Sequence, residues 1–272
     1  MSSVAANANE DALAATASHG RALSGADLNE PALNGRVVLV SGAHGGLGSA
    51  ASLACARAGA SVVLLGRKVA KLNRVHDAIA AQASASHAPA AVLYPLDLEG
   101  ASPDDYAELA TRIEAEFGRL DGVLHCAAEF RGLTPLEHTD PAAFARALHV
   151  NLTAPWWLTQ ACLPLLKRAA DSVVVFALND PAQTARAFWG GYGIAQHGLA
   201  ALVQMLHAEL ANSSVRVSAL QPGPMRTPLR SRSHVEEDDR IARDPVAYAQ
   251  ACVSLLSPDG VRYRGQVWNP TP

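Results

Sequence analysis

The segment Ser41-Gly42-Ala43-His44-Gly45-Gly46-Leu47-Gly48 directly follows the short apolar run Val37–Val40 and leads into the helical stretch Ser49-Ala50-Ala51-Ser52-Leu53-Ala54. A strand, a glycine-rich turn and a helix in that order leave few folds open. Glycines permit torsions and a close approach that a Cβ forbids, and the first turn of the next helix presents free N–H groups and the positive end of its dipole. The GxxxGxG spacing on the first βα unit therefore predicts a turn that cradles a pyrophosphate.

The rest of the chain repeats the alternation. The runs Val37–Val40, Ser61–Leu65, Ala91–Leu96, Gly122–Cys126, Ser172–Leu178 and Val215–Leu220 are short, apolar and closed by a turn or a polar residue. Strands that are apolar throughout are expected where helices cover both faces of a sheet. The intervening segments Gly48–Ala58, Ala70–Ala83, Asp104–Phe117, Ala142–Leu166 and Gly190–Leu210 space apolar residues three and four apart and supply the crossover helices. The predicted fold is a single α/β domain over residues 34–272 with a doubly wound, mostly parallel sheet, and a last strand after Gly265. Residues 1–33, Ala-, Ser- and Asn-rich without sustained periodicity, are expected to form a disordered arm. The Ala-rich stretch Ala80–Ala91 reads as a helix end and loop.

Composition narrows the partners. With 49% apolar and 17% charged residues among 272, the chain can bury a large core. A net charge of −3 without a Lys or Arg run argues against nucleic acid and against an anionic membrane, so the expected ligand is a small molecule. No basic start with a continuous apolar stretch follows Met1, and a cytoplasmic protein is expected. The four cysteines lack CxxC spacing and read as core thiols, and the ten histidines lack HxH or HxxxH pairing, so no metal is expected. His44 and His125 follow adjacent central strands and are expected to approach one another. Trp156 and Trp157 read as core or subunit contacts.

The second run ends Leu64-Leu65-Gly66-Arg67-Lys68, at the place where NAD(H) would call for an acid on the ribose 2′-hydroxyl. Arg67 stands there instead, and its fork suits a 2′-phosphate, with Lys68 and Lys71 as diffuse charge. NADP(H) is therefore preferred, with NAD(H) still admissible.

Further segments complete a resemblance. Pro95-Leu96-Asp97-Leu98, His125-Cys126-Ala127-Ala128, His149-Val150-Asn151-Leu152 and Gln221-Pro222-Gly223-Pro224-Met225-Arg226-Thr227 follow the glycine turn in order. From about Gly35 onward the chain resembles the single-domain, Rossmann-type short-chain dehydrogenase/reductase family, and its wording is most similar to the YciK-like branch. The resemblance implies cofactor contacts by Ser41, Gly42, His44, Gly46, Leu47 and Gly48 in the turn. It implies others by Arg67, Asp97, Leu98, Cys126 and Ala127, and by Pro222, Gly223 and Thr227 at the nicotinamide end. It also implies a carbonyl or alcohol substrate and a homo-oligomer, dimer or tetramer, paired through the helices at 142–166 and 190–210.

The same resemblance places a catalytic group at Asn151, Tyr192 and positions 179 and 196, where the family has Ser and Lys. Here the residues are Asn179 and Gln196. Residues i and i+4 share a helix face, so a Lys at 196 would favour ionised Tyr192, whereas Gln cannot. Tyr192 is then expected near its reference pKa of about 10. Oxidising an alcohol needs tyrosinate, but reducing a carbonyl starts from the hydroxyl, so surviving activity should lean towards reduction. Asn179 could donate an N–H to a carbonyl oxygen, and Gln196 could bond a ribose hydroxyl. Three readings stay open: an oxidoreductase of reduced activity, a dinucleotide-binding pseudoenzyme acting as sensor or partner, and a relic that binds neither. The charged stretch Arg226–Arg243 reads equally as a lid or as a solvated loop.

Overall fold

Seven parallel strands form one sheet in a computed structural model that describes residues 32–86, 91–234 and 240–270. They are β1 (Val37–Ser41), β2 (Ser61–Gly66), β3 (Ala91–Pro95), β4 (Gly122–His125), β5 (Ser172–Ala177), β6 (Val215–Leu220) and β7 (Val267–Trp268), in the order β3-β2-β1-β4-β5-β6-β7. The helices are α1 (Gly46–Arg57), α2 (Val69–Ser86), α3 (Pro103–Phe117), α4 (Pro141–Leu148), α5 (Ala154–Leu166), α6 (Pro181–Thr184), α7 (Gly190–Glu209) and α8 (Ala249–Leu256). Most of the arm at 1–33, residues 87–90 of the Ala-rich stretch and the acids at 236–239 lie outside the described residues.

Two-sided coverage explains the uniformly apolar strands. Val37 and Leu39 of β1 join a core with Tyr106, Leu158, Phe176 and Val203, beneath α3, α5 and α7. Val38 and Val40 point the other way, into a core with Leu47, Leu72 and Cys252 beneath α1, α2 and α8. Because neither face is wet, alternation has no polar register to record. Leu33, which the sequence assigned to the arm, is fully buried in the second core and donates its N–H to Ala58 O at 2.8 Å. The packed domain thus begins just before residue 34.

The predicted helix at 142–166 is continuous in path but interrupted in winding. Between α4 and α5, residues His149–Thr153 form a π-turn that contains the buried Asn151. Such a turn adds one residue to the coil and rotates the helix beyond it. The short α6 and the α8 helix have no counterpart among the segments predicted from the sequence.

At the N-terminal edge of the sheet a charged cluster ties the strands together. Arg36 and Arg216 both bind the Asp171 carboxylate, and Arg36 also donates to Leu256 O at 2.8 Å and Arg216 to Ser257 O at 2.9 Å. Beside it, Asp121 accepts from Val37 N–H and pairs with Arg119. The opposite, C-terminal edge is where β1 lies between β2 and β4 and the chain reverses its winding. In open α/β sheets that switch point opens a ligand crevice.

Candidate functional site

The crevice is built first by backbone. Gly42 has φ +68, and a Cβ there would meet the Ala127 backbone at 2.6 Å, so the turn after β1 touches the segment after β4. A Cβ on Gly48 would meet Gly42 O at 2.3 Å, which lets α1 start against the turn. The first turn of α1 carries neither an acidic residue nor a side-chain cap on Gly45, so its leading N–H groups stay available. A cleft of about 430 Å³ passes over this turn, from Gly66, Arg67 and Lys68 at one end to Asn179, Tyr192 and Leu229 at the other.

At the first end, the Arg67 guanidinium lies 3.7 Å from Asp97 and 3.9 Å from Glu99. These exposed pairs are weak and screened, so Arg67 is held near the cleft without being locked. His44 lines the same end, against Gly66.

At the other end, Tyr192 stands in the first turn of α7, walled by Phe130 at 5.1 Å and Trp189 at 5.8 Å between ring centroids. Its hydroxyl has the Asn179 amide nitrogen 3.4 Å away, a long bond. Gln196, one turn later, is buried and its Oε1 accepts the Asn179 backbone N–H at 2.8 Å. Asn179 Oδ1 in turn accepts from Asp180 N–H at 2.8 Å. Burial pushes the Tyr192 hydroxyl up to about 12, against a smaller downward pull from Asn179. The sequence expectation of a value near 10 is corrected upward, because removing the Lys does not return the phenol to water; it leaves it in an apolar wall.

A segment after β6 crosses this end. Arg232 donates from Nη1 to Phe130 O at 2.7 Å, and His234 Nε2 accepts from the Gln183 amide. Thr227, Pro228, Leu229, Arg230 and Arg232 of the 226–243 stretch line the cleft rather than standing apart from it.

The expected cofactor residues Gly42, His44, Gly46, Leu47, Arg67, Asp97, Leu98, Cys126, Ala127, Pro222, Gly223 and Thr227 all line the cleft, as do Asn179, Tyr192 and Gln196. Ser41, Gly48 and Asn151 do not; they frame it. Ser41 Oγ lies 3.5 Å from Ala127 N–H. Asn151 accepts from Glu129 N–H and donates to Glu129 O and Ala147 O, each at 2.8 Å, so its amide is consumed in fixing the segment after β4 to the π-turn. The expected approach of His44 and His125 does not occur: His125 stacks on Phe176 at 4.6 Å and bonds Thr159 at 2.9 Å, inside the core. His197 is exposed and Cys126 is the one described thiol that lines the cleft. Sequence reasoning missed Gly66, Glu129, Phe130 and Leu229 as lining residues; only their places beside the motifs signalled them. Among the described residues no three His, Cys, Asp or Glu side chains gather to hold a metal, and no helix is long and apolar enough to cross a membrane.

The geometry agrees with comparisons to known proteins. The family model described as short chain dehydrogenase matches residues 36–238. The uncharacterized oxidoreductase YciK of Escherichia coli (strain K12) is 32% identical over 240 residues, covering 88% of this chain and 93% of the relative. A solved chain from Pseudomonas syringae superposes with a TM-score of 0.83 at 39% identity, covering 91% of this chain and 99% of that one. One from Escherichia coli CFT073, solved complexed with NADPH, gives a TM-score of 0.82 at 32% identity, covering 89% and 99%. The ordered motifs, the 3-2-1-4-5-6-7 sheet and these likenesses converge: the chain belongs to the short chain dehydrogenase family, in its YciK-like branch.

Proposed function

We propose that the chain is an NADP(H)-dependent oxidoreductase that works as a carbonyl reductase of reduced activity, with Tyr192 as its proton donor. The observation that carries the reading is the pairing, at one end of the cleft, of a protonated Tyr192 hydroxyl with an Asn179 amide. The cleft fits a dinucleotide: a Cβ on Gly46 would fill the cradle, meeting Thr227 Cγ2 at 2.7 Å, and Arg67, Lys68 and Lys71 collect at the end suited to a 2′-phosphate. The complex of a relative with NADPH supports the same choice. NADPH, when bound, supplies the hydride.

The chain's own residues govern the proton. In reduction the carbonyl carbon gains hydride and its oxygen gains the Tyr192 proton, and the resulting tyrosinate is reprotonated from solvent. The alkoxide is the stronger base, so a phenol near 12 still donates downhill. In oxidation the tyrosinate must be present beforehand. At pH 7 a pKa of about 12 leaves roughly one part in 10⁵ ionised. The site is therefore biased towards reduction, and Asn179 offers a carbonyl oxygen an amide donor in place of a hydroxyl.

A second reading is a dinucleotide-binding pseudoenzyme that acts as sensor or partner. It is favoured by the mutual engagement of Gln196 and Asn179 and by the packing of Phe130, Trp189 and Leu229 around Tyr192. Titrating purified protein with NADPH, then following its consumption over a carbonyl panel, separates the two. Binding with turnover supports the reductase, binding without turnover the pseudoenzyme, and no binding refutes both. We also propose a homo-oligomer, because Trp156 of α5 and Ile194 and Met205 of α7 are large apolar residues left exposed.

A further inference from the structure

We infer that His44 is a proton-linked determinant of 2′-phosphate recognition, so that NADPH binding takes up a proton which NADH binding does not. The inference rests on the NADP(H) reading above and names how its adenine end discriminates.

His44 occupies a prepared place. Its ring lies on Gly66, the last residue of β2, where any Cβ would meet Nδ1 at 2.3 Å and Cε1 at 2.9 Å. That glycine therefore keeps open the shelf on which the imidazole rests. Nδ1 is enclosed there without a hydrogen-bond partner, while Nε2 is not enclosed. With Nδ1 held against Gly66, Nε2 is the ring nitrogen that a group in the cleft can meet.

The charges facing the ring come from two elements. Arg67 and Lys68 follow β2, and Lys71 lies in the first turn of α2; all four side chains line the same end of the cleft. On the β3 side Asp97 and Glu99 face Arg67 and partly offset it. Among the described residues of this patch, His44 is thus the one group whose charge changes near neutrality. Burial, then the three cations in the order Lys71, Lys68, Arg67, hold its pKa below the usual imidazole value, which favours the neutral ring at pH 7 in the free protein.

A 2′-phosphate carries about −1.5 to −2 charges at pH 7. Placed among these groups it reverses the field at His44 and favours the imidazolium. The pKa in the complex then exceeds that in the free protein, and binding absorbs a proton between the two values. The preference for NADPH over NADH is greatest at acid pH and declines as pH rises from the free-state to the bound-state value, by up to about tenfold per pH unit for one proton.

Calorimetry of the full chain with NADPH and with NADH, in two buffers of different ionisation heat from pH 6 to 9, tests this. The phosphate's own second ionisation, near pH 6, exchanges protons in every variant, so the reading is the difference between the parent and His44→Gln. The expected result is extra proton uptake by the parent with NADPH alone, together with a flatter pH profile of the NADPH/NADH ratio in His44→Gln and His44→Asn. Equal proton exchange and equal profiles in parent and variants, with NADPH still bound tightly, overturn the role of His44 and leave the cofactor reading standing. Failure of the parent to bind NADPH overturns both.

Discussion

On the proposed reading, replacing Gln196 with Lys and Asn179 with Ser should restore proton transfer at Tyr192, whose burial sets the starting point and Coulomb's law the size of the effect. A unit positive charge about 4 Å from the phenol, in an effective dielectric near 20, is worth roughly 4 kcal/mol, or about three pKa units. Tyr192, now near 12, would fall towards 9, and tyrosinate at pH 7 would rise by about a thousandfold. Alcohol oxidation with NADP⁺ should gain by that order, and carbonyl reduction by less, within the roughly 10²- to 10⁴-fold range of general acid–base assistance. The exchange has a cost. Gln196 Oε1 accepts the Asn179 backbone N–H, and a lysine has no acceptor, so the double variant should lose about 1 kcal/mol of stability through that N–H. The assay follows NADPH in both directions over a panel of carbonyls and alcohols, with Tyr192→Phe in the same background as the control that removes the gain. A double variant that binds NADPH but gains nothing would refute the assignment of the impairment to proton transfer. A parent enzyme already oxidising alcohols at about 10 s⁻¹ at neutral pH would refute the pKa reasoning itself.

Other outcomes stem from the same geometry. Arg67→Ala should weaken NADPH by at least tenfold while changing NADH little, and calorimetry with both cofactors would expose an unchanged ratio. Asp171→Ala strips the partner from two largely buried guanidiniums, Arg36 and Arg216, and should cost about 3 kcal/mol, read as a melting temperature roughly 5–10 °C lower with NADPH affinity kept. Light scattering at micromolar concentration should show a dimer or tetramer, and Met205→Glu with Ile194→Glu should shift it towards monomer; a parent that is already monomeric contradicts the proposed pairing.

Strand positions were legible because burial on both faces leaves a local signature: each apolar run from Val37 to Leu220 ends within a residue of its observed strand. The glycine turn was legible for a similar reason, since Gly42 and Gly48 are required by backbone contacts that only a missing Cβ permits. The features that escaped the sequence depend on partners distant in the chain. The π-turn at His149–Thr153 is fixed by Asn151 binding Glu129, twenty-two residues earlier. The Gln196 amide could be read as a missing charge but not as the acceptor for residue 179. The upward shift of Tyr192 follows from Phe130 and Trp189, which no spacing rule links to it. The α8 helix, short and following a charged stretch, has too few turns to display a period.

The aromatic wall around Tyr192 also makes the site optically self-reporting. Trp189 is buried, stacked on Phe130 at 5.1 Å, near Tyr192, and 6.3 Å from His234 of the segment that crosses the cleft. Its indole faces Phe130 and Tyr192 on one side and the segment after β6 on the other. Any displacement of that segment changes the polarity around the ring, and a reduced nicotinamide arriving nearby can accept its excitation energy. Trp156, Trp157 and Trp268 lie on α5 and β7, outside this wall. A spectral shift of Trp189 therefore registers movement of that segment, while energy transfer from the tryptophans together registers cofactor arrival, without an attached dye.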